Sequence, residues 1–106
     1  MDNFKQSRLA DEDLITSFVY GLEEWGYEQA VKYKNELEKG RERICEDPFV
    51  AGSKKQDELV SGCRSYRVNN YYYFYKVSEN GEILIARVLH ESMSFPLHIR
   101  ENYFPG

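Results

Sequence analysis

Long apolar runs are missing from this chain: nothing in it approaches the ~20 apolar residues a membrane-spanning helix requires, so no membrane association is expected. Cysteine is scarce. Cys45 and Cys63 stand 18 positions apart, without a C-x-x-C pair or paired histidines. That spacing excludes a disulfide scaffold and a zinc module, leaving packing as the role for both. The only histidines are His90 and His98, with no carboxylate at ligand spacing, so no metal and no cofactor is expected. A P-loop, a G-x-S-x-G elbow and a dinucleotide-binding glycine set are all absent. Positive charge is also lacking: 14 basic against 18 acidic residues give a net charge of -4, which disfavours direct attraction to nucleic acid. The opening MDNFKQSRLADEDL has no basic segment followed by an apolar stretch, so a cytoplasmic, thiol-reducing setting is expected.

What is present is a chain of 106 residues, 42% apolar and 30% charged, enough for one domain spanning 1–106. A brief edge strand is expected within Asn3 to Ser7. Ala10, Leu14, Phe18, Leu22 and Trp25 recur at spacings of three and four, which predicts an amphipathic helix over Ala10 to Trp25, ended by Gly26. A second helix follows over Tyr27 to Glu46, with Ala30, Tyr33, Leu37 and Ile44 on one stripe, and the two are expected to form an antiparallel hairpin. Pro48 to Gly62 reads as a surface loop. Three strands are then predicted: Arg64 to Val68, Tyr71 to Val77 and Glu82 to His90, joined by turns at Asn69-Asn70 and Asn80-Gly81. The last residues, 99–106, read as a flexible tail. The fold class is therefore α+β, an N-terminal α-helical hairpin packed on a small antiparallel sheet.

Aromatic residues make up 15% of the chain, and Tyr71 to Tyr75 form an unbroken aromatic run. Alternation puts Tyr71, Tyr73 and Tyr75 on one face and Tyr72 and Phe74 on the other. One face is expected to pack on the helices and the other to be an exposed row that meets a partner. Arg64, Arg67 and Arg87 fall within the predicted sheet, where guanidinium groups suit an acidic partner, a phosphate or the acidic helices themselves.

The order of short motifs resembles one family. Ala10, Asp13 and Leu14 form A-x-x-D-L, Trp25-Gly26 marks the helix break, and Gln29, Ala30 and Tyr33 form Q-A-x-x-Y. Asp47-Pro48 and Gly52 follow. Gly62, Arg64, Tyr66 and Val68 then form G-x-R-x-Y-x-V, Tyr72, Phe74 and Tyr75 form Y-x-F-Y, and Arg87 to Met93 read RVLHESM. Together, over about residues 4 to 98, they resemble the ParE toxins of the RelE/ParE toxin–antitoxin superfamily. That resemblance implies a toxin that inhibits DNA gyrase and blocks replication, neutralised by a ParD-type antitoxin, with nucleic acid met only through either partner. It implies a target-binding set of Arg64, Arg67, Arg87, His90 and Met93. It implies an antitoxin-binding set of Leu22, Trp25, Tyr71, Tyr73 and Tyr75. Gyrase inhibition needs no catalytic residues. A RelE-like alternative, ribosome-dependent mRNA cleavage, would use Arg64, Arg87, His90, His98 and Tyr103. A further alternative is a non-toxic binding module or corepressor acting with its antitoxin.

Overall fold

A computed structural model describes residues 3–106. The chain runs through β1 (Phe4–Gln6), α1 (Arg8–Trp25), α2 (Tyr27–Glu46), β2 (Lys54–Lys55), β3 (Arg64–Val68), β4 (Tyr71–Val77), β5 (Ile83–His90) and α3 (Phe95–His98), and closes with a 3₁₀ turn at Glu101–Tyr103. Ser7 starts α1: its hydroxyl accepts the Ala10 N–H at 3.0 Å, and Asp11 complements the first-turn dipole. Gly26 alone separates α1 from α2. Its φ of 87° is a backbone state that L side chains resist, and it lets the chain reverse in one residue. The result is the expected helical hairpin.

The sheet has five strands in the order β1-β5-β4-β3-β2. It is mixed rather than purely antiparallel, because β1 pairs parallel to β5 through Phe4, Lys5 and Gln6 while the other pairings are antiparallel. A parallel pair needs a long crossover, and here the helical hairpin and β2 to β4 all lie between the two strands. The expected loop after Pro48 holds the short edge strand β2, paired with Arg64 and Ser65. Asn69, at φ 56°, turns β3 into β4.

The register of β4 against β5 slips by one residue. Phe74 pairs with Arg87 but Tyr75 pairs with Ile85, so Ala86 bulges out of the ladder. A bulge reverses the alternation beyond it. Ile83 and Ile85 face the helices together with Val88, instead of with Arg87, and the helix-side core joins them to Ala10, Leu37, Ile44, Val68, Tyr73 and Tyr75.

The opposite sheet face is covered as well. Cys63, Phe74, Leu89 and Ile99 form a second core, with Tyr72, Met93, Phe95 and Phe104 packed against it. Phe95 crosses the Phe74 ring edge-to-face at 4.8 Å. Lys76 pairs with Glu101 and sits over the Phe104 ring. The segment expected to be a flexible tail thus packs on the sheet, since without it Phe74 and Leu89 would face water. Sheet strands covered on both faces explain why Tyr73, Phe74 and Tyr75 are all fully buried in succession.

Two predictions concern this architecture. A Cβ on Gly40 would lie 2.3 Å from Val68 Cγ2, so α2 meets β3 at a point with no room for a methyl group. Gly40→Ala should cost about 1–3 kcal/mol in urea unfolding despite the gain in helix propensity. Burial pushes the Cys63 thiol from 9.0 to about 12 and raises the Tyr71, Tyr73 and Tyr75 hydroxyls above 10.0. These groups hold their protons more tightly when folded, so the stability they contribute is intact below the unfolded values and is lost as pH climbs through the folded ones. The urea midpoint should hold level between neutrality and about pH 9, then fall.

Candidate functional site

The helix-side core leaves apolar residues of α1 uncovered to either side of its inward stripe, Ile15, Val19 and Leu22 toward one side and Tyr20 toward the other. Ile15, Val19, Tyr20 and Trp25 are 64%, 45%, 48% and 53% exposed, and Leu22 is half-buried beside them. Apolar side chains on adjacent turns of one helix, left in water, are the signature of a surface built to be covered. Between α1 and α2 lies a groove of about 240 Å³ lined by Leu14, Phe18, Trp25, Tyr33, Leu37 and Tyr71. It continues over β5 into a depression of about 340 Å³ walled by Thr16, Ser17, Tyr20, Tyr71, His90 and Met93. The aromatic rings interlock: Trp25 meets Tyr20 and Tyr33 edge-on at 5.7 and 5.4 Å, and Tyr71 meets His90 at 5.2 Å. These contacts hold large surfaces in fixed orientation.

The depression opens on a bare strand edge. β1 pairs with β5 only as far as Ile85, and beyond it side chains from α1 and its cap take over. The Ser7 hydroxyl donates to the Ala86 carbonyl at 2.6 Å, and the Val88 N–H donates to Asp13 Oδ2 at 2.9 Å. Leu89 and Glu91 turn their backbone groups toward β4, as the 2.8 Å bond from the Glu91 N–H to the Asn70 carbonyl shows. The Val88 carbonyl and His90 N–H therefore face outward, where no strand among the described residues pairs with them.

Asp13 also holds Arg87. Nε and Nη2 of Arg87 donate to Oδ2 and Oδ1, both at 2.8 Å, and the two side chains are only 12% and 13% exposed. Nη1 donates to the His98 carbonyl at 3.1 Å, and the Tyr103 ring lies 6.0 Å away. The hydrogen bond to Asp13 drives the Arg87 pKa above its ordinary value against the opposing effect of burial. Arg87 is thus an internal tie joining α1, β5 and the C-terminal segment.

The other expected site residues separate. Tyr71, Trp25 and Leu22 belong to the uncovered flank and its groove. Tyr73 and Tyr75 do not: both are fully buried, with hydroxyls donating to the carbonyls of Leu37 at 2.7 Å and Pro48 at 2.6 Å. No exposed tyrosine row exists, because the helices cover one face of β4 and the C-terminal segment the other. Arg64 lies elsewhere, donating to Ser53 at 2.9 Å under the Phe49 ring. Arg67 pairs with Glu91 at 3.1 Å on the surface. His90 Nδ1 is 2.7 Å from the Ser92 hydroxyl, His98 Nδ1 is 2.7 Å from the Ser94 carbonyl, and Met93 packs on the second core while lining the depression. Of the RelE-like set, only Arg87, the His98 backbone and Tyr103 come together. Ile15, Val19 and Tyr20 are exposed outside the expected set, and for the first two the signal is in the sequence: Leu14-Ile15 and Phe18-Val19 give α1 two adjacent apolar stripes where one suffices for the core.

The family model for the ParE toxin of the type II toxin–antitoxin system parDE matches residues 4–95. The chain belongs to the ParE toxin family. Toxin ParE1 of Caulobacter vibrioides is 37% identical over 99 residues, covering 93% of this chain and 99% of that protein. Toxin ParE of Escherichia coli is 33% identical over 86 residues, covering 79% and 80%. A structure of the chromosomal ParDE system from P. aeruginosa superposes with a TM-score of 0.72 at 20% identity over 85% of this chain and 96% of that one, which shows the shared fold. Among the described residues of this ParE-family chain no helix is long and apolar enough to cross a membrane.

Breaking the internal tie should be costly, since each partner would leave the other charged and nearly buried. Asp13→Asn and Arg87→Met are each expected to lose about 3 kcal/mol, while the double variant recovers part of that loss in a double-mutant cycle. Arg87→Ala is accordingly a stability variant, not a clean probe of activity.

Proposed function

We propose that this chain is the growth-arresting half of a parDE-type pair: its uncovered α1 flank and groove are occupied by a ParD-type antitoxin, and the free protein inhibits DNA gyrase. The observation that carries this reading is the continuity of an exposed apolar helix flank, an aromatic groove and an unpaired strand edge. An amphipathic helix fits the first two features and an extended segment fits the third. Family membership supports both partners. The end of β5 and its following turn, with Arg67, His90 and Met93, supplies the target-facing candidates. Arg64, engaged by Ser53 on the far side of β4 from β5, is remote from them.

The RelE-like alternative, mRNA cleavage, is less well supported by the geometry. Arg87, which would have to meet a phosphodiester, spends its guanidinium on Asp13 and the His98 carbonyl.

Induced expression of the chain alone should stop bacterial growth and inhibit supercoiling by purified gyrase, and co-expression of the antitoxin should restore both. Growth arrest with fully active gyrase and ribosome-dependent mRNA cuts would instead establish the RelE-like activity, and unaffected growth would leave only a binding module. Val19 is nearly half exposed, so Val19→Lys should leave the thermal midpoint unchanged yet weaken antitoxin binding at least about tenfold, as measured by calorimetric titration.

A further inference from the structure

On the other flank of α2, away from the apolar groove, a polar cleft of about 280 Å³ lies between the helix and the β3–β4 turn. Lys39 and Arg43 reach it from successive turns of α2, Arg67 from β3, and Val68 forms part of its wall. The close approach of Gly40 to Val68 sets the distance between the two elements beside the cleft. Its only carboxylate, Glu36, is already engaged: the Asn69 side-chain amide donates to it at 2.7 Å. Arg67 donates to the Asn69 carbonyl at 2.7 Å and to Glu91 at 3.1 Å, an exposed ion pair of the kind that exchanges readily. The side chains of Lys39 and Arg43 have no hydrogen-bond or ion-pair partner among the described residues.

In a chain of net charge -4, three cations line this one cleft against the single carboxylate of Glu36, which Asn69 already engages. We propose that this cleft is an anion site that takes a phosphate group. The two guanidinium groups of Arg43 and Arg67 provide planar paired donors suited to phosphate oxygens, and the Lys39 ammonium adds a compact point charge. A carboxylate would use fewer of these donors than the oxygens of a tetrahedral phosphate do. The phosphate group has two sources: a free phosphate or nucleotide, and the backbone of a nucleic acid.

The test is a residue-resolved NMR titration of the full chain with inorganic phosphate, with ATP and with a short duplex DNA. Shifts centred on Lys39, Arg43, Arg67 and Asn69 are expected. Saturation by phosphate and ATP assigns the small-molecule source, and saturation by DNA alone assigns the backbone, in which case each lost cation lowers the salt slope by about one. Arg43→Gln should weaken binding about tenfold. Glu36→Gln keeps an acceptor for Asn69 while removing the opposing charge, so it should tighten binding. Lys32→Gln, on the same helix outside the cleft, serves as the control for net charge and should leave binding unchanged. Absence of shifts at the cleft with every ligand, or equal weakening by Lys32→Gln and Arg43→Gln, would overturn the proposal.

Discussion

The carboxylate of Asp13 is where this fold is tied together. It lies on the second turn of α1 and receives three donors from β5, two from Arg87 and one from the Val88 backbone, at a place where β1 has already ended. Without it, the nearly buried guanidinium would have no counter-ion and the strand edge one more open N–H. The same Arg87 reaches the His98 carbonyl, so the helical hairpin, the sheet and the C-terminal segment share one electrostatic junction. That junction requires the Ala86 bulge. In an unbroken ladder the side chain at position 87 would follow Ile83 and Ile85 into the apolar core, where an arginine could not stay charged without great cost.

Burial on both faces of β4 is the second organising feature. A central strand reading Tyr-Tyr-Tyr-Phe-Tyr has no polar face to give to water, so each side must be covered by something. The helices serve the Tyr73 and Tyr75 side, and Phe95, Ile99 and Phe104 serve the Phe74 side. The aromatic excess is thereby absorbed mostly as structure. What remains for partners is not on the strand face but at the rim, where Tyr71 and His90 meet the exposed flank of α1. Apolar surface is left open along α1, and on its β1 side β5 is left without a partner strand beyond Ile85 among the described residues. The charged cleft lies separately behind α2.

The helices, the three long strands and both hairpin turns were legible in the residue order, because periodicity, Gly26, Asn69 and Asn80-Gly81 are local signals read within a few residues. Family membership was legible too, since the RVLHESM run and the motifs before it keep their identity along the chain. The residues that the resemblance implied for an antitoxin contact do not stay together in the fold. Trp25 and Leu22 lie on the uncovered flank, whereas Tyr73 and Tyr75 are internal, and alternation cannot say whether a second layer covers the other face. The tail carried too few apolar residues in any regular period to announce that it packs.

By itself, the amino-acid order determined which segments are helix and which are strand, and to which family the chain belongs, because both rest on short-range chemistry and on ordered motifs. The parallel pairing of β1, the bulge at Ala86, the capture of Arg87 by Asp13 and the closure of the sheet by residues 95–104 were decided only in three dimensions. Each joins groups far apart in the chain, and which partner an arginine, an open edge or an apolar face finds depends on what the other elements leave uncovered.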